Sequence, residues 1–363
     1  MKNIVQPTDW GEQRRLDVHT MKTNDQHRTP RIDNRLPGGA WPVRLRRMLH
    51  YGDRPWNTLT ISMAVLTIVL VIMVGVLLWK DSAGARSAFG LNFLKPTNDA
   101  SWNPVSSEFQ AWPFIYGTII SSLLSLVIAV PISLGAAIFL AELCPEKLRI
   151  TIGGMFELLA AIPSVIYGLW GIFVFLPKVV APSGNFLGAT LGKLPVLNLF
   201  LHGPVPSSGA SLLAAALILS IMIIPTITAI TRDVLLAIPS AQREASLALG
   251  STQWETISKV LIPYGLSGIL GAVILGLGRA LGETMAVTMV VGNSIGGSLS
   301  LLRPGYTMSS IIANEFAEAA SPLHTQALIE IGLILFVITL LLNILARLLE
   351  WRVSRRSIQE VRA

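Results

Sequence analysis

Charged residues and cysteine are both scarce in this chain of 363 residues. Lys, Arg, Asp and Glu together make up 13% of the sequence, apolar residues make up 52%, and the mean hydropathy is +0.60. Soluble globular domains carry about 25% charged residues, so this composition indicates a polytopic membrane protein. The only cysteine is Cys144, which excludes an intrachain disulfide and a metal site built from several cysteines.

Several motifs that mark enzymes are also missing from the sequence. There is no G-x4-G-K-[ST] phosphate-binding loop, no HExxH or GxSxG motif, and no pair of aspartates within an apolar run. The five histidines are scattered and show no metal-ligand spacing. We therefore predict that the chain does not hydrolyse ATP, has no catalytic residues, and holds no metal and no cofactor of its own.

Six apolar runs are long enough to cross the bilayer core, which is about 30 Å thick and takes about 20 helical residues to span. Backbone polar groups in lipid must pair internally, so continuously apolar runs of this length predict helices and not barrel strands. The predicted fold class is an all-α integral membrane protein with six transmembrane helices. The predicted spans are residues 58–79, 114–141, 152–176, 208–231, 265–292 and 326–348.

The basic residues are distributed unequally between the two sides of such a membrane protein. With the N-terminus in the cytoplasm, 21 of the 28 Lys and Arg residues are cytoplasmic, six are external and one, Arg279, is inside the membrane. The positive-inside rule therefore predicts that both termini are cytoplasmic. No cleaved signal peptide is expected, because the first apolar run begins only near residue 58. No nucleic-acid partner is expected, because the basic residues lack an aromatic platform or a binding fold.

The polar stretches outside the spans set the predicted organisation of the chain. Residues 1–57 are polar and basic and predict a mostly disordered cytoplasmic tail, whose Arg44–Arg47 stretch lies against membrane lipid. A regulatory role of this tail is the alternative to a simple solvated segment. The remaining regions are 58–113, the first helix and an external loop; 114–348, a core of five helices with the loop 232–264; and 349–363, a cytoplasmic tail.

The loop 232–264 contains a spaced motif. Glu244-Ala245-Ser246 is followed by Gly250 and then by Val260-x-Ile262-Pro263. The spacing resembles the EAA loop of ABC-type importer permeases, E-A-A-x3-G-x9-I-x-L-P, which docks a membrane subunit onto a separate ATPase. The alternative is an ordinary amphipathic loop helix. The resemblance implies the following residues for ATPase coupling: Glu244, Ala245, Ser246, Gly250, Ile262 and Pro263.

Local signals predict the shape of this loop. Gly250 can adopt a positive φ at the end of a helix, and Thr252-x-x-Glu255 fits a capping box that starts the next helix. The loop is therefore predicted to fold as a helix, a glycine corner and a second helix, which together form a rigid lever.

Further stretches are similar to the phosphate-specific permease subunits of ABC importers, the PstC type. They are AELCPEKLR at 141–149, ELLAAIPSVIYGLWG at 157–171 and GRALGETMAVTMVVGN at 278–293. The resemblance implies a type I ABC importer permease (MetI-like) fold in a bacterial plasma (inner) membrane. It also implies three kinds of partner: a second permease (PstA-type), an ATPase dimer (PstB-type) that uses ATP and Mg, and an external phosphate-binding protein (PstS-type). The alternatives are an importer of another oxyanion, such as molybdate or sulfate, and, more remotely, a membrane sensor or scaffold.

Arg279 and Glu283 are the candidate charges of a translocation pathway. A charged residue within a span is costly and is a functional hypothesis by default. Their i,i+4 spacing predicts that the two side chains meet on one helix face, and arginine suits phosphate because its donor fork is planar. A structural ion pair is the alternative. Glu157 and Ser164 share a small-residue face of the third span and join the pathway candidates, with close helix packing as the alternative.

Overall fold

The computed structural model describes residues 53–96, 102–194, 198, 200–295 and 298–360, and most of them are helical. The chain divides into two units, Met1–Leu66 and Thr67–Ala363. Of the first unit only residues 53–66 are described, and all of them belong to one helix. The predicted tail, including Arg44–Arg47, therefore lies outside the described residues, except that its last five positions, 53–57, are helical.

Six helical spans are long and apolar enough to cross a membrane, which confirms the predicted fold class. We number them one to six in chain order. The spans are Trp56–Asp81, Trp112–Leu143, Ser164–Thr190, Leu212–Leu236, Gln253–Gly282 and Pro322–Arg352. The first and last belong to the longer helices Asp53–Asp81 and Pro322–Glu360.

Three of the spans combine α-helical and π-helical pieces, and short elements connect the spans. Span two consists of the α-helix Trp112–Ile138 and the π turn Phe139–Leu143. Span three consists of the α-helix Ser164–Trp170, the π segment Gly171–Val180 and the α-helix Ala181–Thr190. Span five consists of the α-helix Gln253–Thr256, the π turn Ile257–Leu261 and the α-helix Ile262–Gly282. The short helices are Ala83–Phe89, Glu146–Ala161, Ser240–Ala248, Met285–Val290 and Met308–Glu315. The 3-10 turns are Gly90–Leu94, Leu191–Lys193 and Phe316–Glu318, and one antiparallel hairpin pairs Trp102–Asn103 with Glu108–Phe109.

Pro163 decides where the third span begins. Proline cannot donate an N–H and disfavours helical geometry in the residue before it, and Ile162 is accordingly extended at φ −62 and ψ 128. The helix Glu146–Ala161 ends there, and span three starts at Ser164. The prediction of one continuous span at 152–176 was wrong for this reason.

The fifth span ends earlier than its sequence predicts. Helix Ile262–Gly282 stops at Glu283, whose backbone is extended at φ −70 and ψ 124, and a new helix covers Met285–Val290. The Glu283 carboxylate accepts a hydrogen bond from the Ala286 N–H at 3.2 Å and so satisfies one unpaired donor of the new helix. The prediction of a continuous span at 265–292 was therefore wrong.

Span four forms the centre of the second unit. Ile218, Ile223 and Ile227 along it are fully buried and join a core that includes residues of spans two, three and five. Span five approaches it closely, because a Cβ atom at Gly276 would lie only 2.7 Å from Ile227 Cδ1. Spans one and six instead expose many aliphatic side chains, as suits helices that face lipid.

Candidate functional site

The loop between spans four and five has the predicted helix, corner and helix. Ser240–Ala248 forms the first helix, which we call the loop helix, and Gly250 adopts φ +87. The second helix begins behind a complete capping box, in which the Thr252 hydroxyl accepts from the Glu255 N–H and the Glu255 carboxylate accepts from the Thr252 N–H. Only glycine adopts this corner conformation without a steric cost, since a left-handed residue with a Cβ loses about 1–2 kcal/mol.

One face of the loop helix is exposed in the described part of the chain. Glu244 and Ala245 are exposed, and Leu249 at its end is 88% exposed. Ser246 points the other way and is buried, where its hydroxyl shares a hydrogen bond of 2.9 Å with the Thr256 hydroxyl. The serine at this position of the motif therefore ties the two helices of the loop together, and its neighbours Glu244 and Ala245 are exposed.

The last two motif residues, Ile262 and Pro263, lie at the start of the helix Ile262–Gly282 within span five. Ile262 is half-buried against an apolar cluster formed by the adjoining ends of spans two, four and five. Pro263 is exposed in the first turn of the helix Ile262–Gly282. A proline in an unbroken α-helix would clash with the carbonyl four residues earlier, and the π turn Ile257–Leu261 widens the helix at that point.

Arg243 and Glu142 form an ion pair that the sequence analysis did not identify. Arg243 Nη2 lies 2.7 Å from Glu142 Oε1, and Arg243 Nε lies 3.1 Å from both carboxylate oxygens. The same guanidinium donates to the carbonyls of Leu235 and Ile238, each at 2.7 Å, near the C-terminal end of span four. The pair thus connects the loop helix to spans two and four.

Arg279 of span five contacts span four and the helix Glu146–Ala161. Its Nη1 donates to the Thr226 hydroxyl at 3.0 Å, and its Nη2 reaches the Ala160 carbonyl at 3.5 Å. No carboxylate lies within ion-pair distance of Arg279 in the described part of the chain. The guanidinium is therefore held by one hydroxyl and one carbonyl oxygen.

The expected contact between Arg279 and Glu283 is absent from the described residues. The i,i+4 spacing brings side chains together only within one helix, and the helix ends at Gly282. The Glu283 side chain caps the next helix, and its carbonyl accepts from the Ser309 hydroxyl at 2.9 Å. The prediction that the two side chains meet on one helix face was wrong.

A cavity of about 760 Å³ opens beside Arg279. Thr226 of span four lines it together with the Gly271–Arg279 stretch of span five and three polar residues of span six. Those residues are Asn343, Arg347 and Glu350, and Arg347 Nη1 lies 3.6 Å from Glu350 Oε2. The cavity therefore has two arginines and one carboxylate in its lining and is wide enough for a small hydrated ion.

The sequence pattern of the family described as "Binding-protein-dependent transport system inner membrane component" matches residues 129–355. This range includes both the loop and Arg279. The chain belongs to this family. As an inner membrane component of a transport system, it is a translocation subunit and is not itself an enzyme.

Individual members of the family are similar to this inner membrane component over most of its length. The "Phosphate transport system permease protein PstC" of Mesorhizobium japonicum is 46% identical over 305 residues, which cover 84% of this chain and 92% of the relative. The protein of the same name from Pasteurella multocida is 48% identical over 270 residues, which cover 74% and 82%.

A solved structure supports the fold assignment. It is a bacterial ABC transporter involved in the import of the acidic polysaccharide alginate, with a TM-score of 0.51 and 19% identity. The likeness covers 84% of this inner membrane component and 99% of that chain. At this identity the comparison bears on the fold alone, and the fold is that of an ABC importer permease.

In the described residues of this permease, Glu157 and Ser164 form no ion pair or hydrogen bond with Arg279 or Glu283. The Glu157 carboxylate is 2.9 Å from Arg232 Nη2, and Arg232 also contacts Asp233 at 2.8 Å. Ser164 is half-buried at the start of span three, and in the described residues its hydroxyl makes no hydrogen bond to Arg279. Because Pro163 separates them, Glu157 and Ser164 do not share one continuous helix face as predicted.

The permease thus contains three polar contacts that sequence reasoning missed. They involve Thr226, Arg232 and Glu142, whose partners are Arg279, Glu157 and Arg243. Each pair is separated by more than 50 positions in the sequence, so no local spacing could have joined them. The only available signal was the presence of charged residues close to the ends of apolar runs.

Proposed function

We propose that this chain is the membrane-spanning permease subunit of an ATP-driven importer of inorganic phosphate. The observation that carries the proposal is Arg279, a half-buried cation beside a cavity, held by a hydroxyl and a carbonyl and by no carboxylate among the described residues. A charge in such a place is costly unless a counter-ion neutralises it. An oxyanion passing through the cavity supplies that counter-ion, and the planar guanidinium fork matches its oxygens. The names of the relatives give the substrate: phosphate.

The proposed orientation follows from the charge distribution. Both termini and the loop helix lie on the cytoplasmic side, and the hairpin Trp102–Phe109 lies outside. The exposed face of the loop helix then meets an ATPase dimer, which uses ATP and Mg, while an external binding protein delivers phosphate to the opposite side. A second permease completes the pathway. These partners suit a translocation subunit that needs energy from elsewhere.

In the proposed cycle, closure of the ATPase dimer moves the loop helix and switches the cavity between two accessible states. Energy enters only because the ATPase contacts the two states differently. Thr226 and Ala160 hold Arg279 when phosphate is absent, since both are hydrogen-bond acceptors that a phosphate oxygen replaces. Arg279 is therefore expected to exchange these neutral partners for the anion during transport.

Uptake of labelled phosphate into vesicles containing the purified complex, with binding protein and ATP supplied, tests the proposal. We expect ATP-dependent uptake that excess unlabelled phosphate abolishes, and that sulfate and molybdate at the same concentration leave largely unchanged. Inhibition by sulfate or molybdate stronger than that by phosphate would reassign the substrate to that oxyanion. ATP hydrolysis without uptake of any of the three would contradict the function.

A further inference from the structure

We propose that Arg243 and Glu142 form the joint through which the loop helix moves spans two and four. Arg243 is a positioning residue, since it acts through Glu142 and the carbonyls of Leu235 and Ile238. The inference rests on the proposed function, because it assumes that a partner ATPase displaces the loop helix. It concerns where that displacement goes inside this chain.

The first observation is how many elements meet at this ion pair. Four of the five donor sites of the Arg243 guanidinium are used: Nε and one Nη2 donor bond Glu142, the second Nη2 donor bonds the Leu235 carbonyl, and Nη1 bonds the Ile238 carbonyl. These carbonyls lie at the C-terminal end of span four, where a cation is also favoured by the helix dipole. One side chain therefore links the loop helix to two spans.

The second observation is that residues on both sides of Gly250 bind Glu142. Arg243 in the loop helix binds the Glu142 side chain, and Gln253 at the start of the second helix donates from Nε2 to the Glu142 carbonyl at 3.3 Å. Glu142 itself belongs to the π turn Phe139–Leu143, where the helical hydrogen-bond ladder of span two is locally widened. Such turns often occur at functional sites. Glu142 is thus fixed from both sides of the glycine corner.

The third observation concerns the burial of the ion pair and the space beside it. Glu142 and Arg243 are 10% and 22% exposed, so water screens their attraction far less than that of a surface pair. A cavity of about 220 Å³ adjoins them, lined also by Leu247, Thr256 and Ile257. The apolar cluster beneath joins the ends of spans two, four and five. The loop helix can therefore shift into free space while its ion pair keeps hold of the spans.

The test separates transmission from mere structural support. In the complete complex in vesicles, with binding protein present, phosphate imported per ATP hydrolysed is measured for Arg243→Gln and Glu142→Gln. We expect uptake to fall about tenfold, a coupling free energy of about 1.4 kcal/mol, while ATP hydrolysis stays within about twofold of the unmodified complex. The double variant is expected to be no worse than either single change, since both remove one interaction.

Lys259→Gln is the matched control. Lys259 also pairs with a carboxylate of this loop, Glu255 at 3.0 Å, but both side chains are well exposed and lie one helical turn apart. We expect normal uptake per ATP from this variant. If Arg243→Gln does not co-purify with the ATPase, Arg243→Lys replaces it, because lysine keeps the charge but cannot reach the carboxylate and both carbonyls together.

Two results would overturn the joint: unchanged uptake and hydrolysis in the assembled Arg243 variants, or a proportional loss of both activities. An incorrect assignment of phosphate as the substrate is recognised separately, because the unmodified complex would then also show no phosphate uptake. In that case uptake of sulfate or molybdate per ATP hydrolysed is the readout. An equal ratio in the unmodified and Arg243→Gln complexes would then reject the joint.

Discussion

Arg279 is a cation whose described partners are all uncharged. A hydroxyl and a carbonyl compensate part of the cost of burying a guanidinium, whereas a carboxylate would compensate more of it and would also compete with an incoming anion. The position of Glu283 beyond the helix end keeps its carboxylate for the Ala286 N–H. The structure therefore leaves Arg279 available to bind a negatively charged substrate.

Replacing Arg279 and Glu283 separately and together tests this arrangement. Arg279→Gln is expected to lower phosphate uptake at least about tenfold, because a hydrogen bond to a charged group contributes about 1.5–3 kcal/mol. Since the two side chains do not pair, Glu283→Gln in the same chain should not restore uptake. Uptake into vesicles is the measurement, with co-purification of the ATPase as the control for assembly. Near-normal uptake by the double variant would instead identify a structural ion pair.

The sequence could identify Arg279 and Glu283 as unusual residues but not their contacts. Their spacing predicted a shared face because an unbroken helix was assumed. The break at Glu283 depends on a side chain that caps the following helix, and the Thr226 partner comes from another span. Both contacts depend on the tertiary structure, so the spacing of residues within one helix does not predict them.

More of the structure of the loop between spans four and five could be predicted from the sequence. Gly250 and the Thr252–Glu255 box act within a few residues of each other, so the corner and the second helix start could be read locally. The burial of Ser246 against Thr256 and the ion pair of Arg243 with Glu142 could not, because their partners lie across the loop or in another span.

Gly250→Asp and Gly250→Asn form a matched pair that tests whether this loop docks onto the ATPase. Both residues tolerate the left-handed conformation better than other side chains do. Apart from the adjacent residues, no heavy atom of the described residues lies within 4 Å of a Cβ placed there. The two variants therefore differ mainly in charge. If the corner contacts the ATPase, we expect Asp to weaken ATPase co-purification at least about tenfold relative to Asn, through desolvation or like-charge repulsion.

Equal ATPase binding by the Asp and Asn variants would mean that the corner does not contact the ATPase. A thermal unfolding measurement on each purified variant serves as the control for backbone strain. Similar unfolding temperatures for the pair are expected, because the left-handed conformation affects both in the same way.

For the molecule as a whole, length and apolarity alone predicted the number of spans and the fold class. They did not predict where span three begins or span five ends, because those points depend on backbone geometry at Ile162 and Glu283. The sidedness of the molecule depends on the positive-inside rule and stays a prediction.

Cysteine labelling of intact cells checks the sidedness. In a Cys144→Ser background, single cysteines at Val105 and Leu249 offer two highly accessible positions, 95% and 88% exposed. A membrane-impermeant reagent should label Val105→Cys and not Leu249→Cys until the membrane is opened. The opposite pattern would invert the topology and move the loop helix away from any cytoplasmic ATPase.

The division of the fifth span at Glu283 has a mechanical consequence. The stretch Gln253–Gly282 is 30 residues long, and as a rod of about 45 Å it would carry a 5° tilt at its loop end into a shift of about 4 Å near Arg279. The short helix beyond the break does not have to follow, because Ser211 and Ser309 anchor it to its surroundings through backbone carbonyls of Val290 and Glu283. We therefore expect the non-helical residues Glu283 and Thr284 to act as a hinge. Arg279 lies on the side of this hinge that a rotation at the loop would move, so its charge would shift relative to the short helix Met285–Val290.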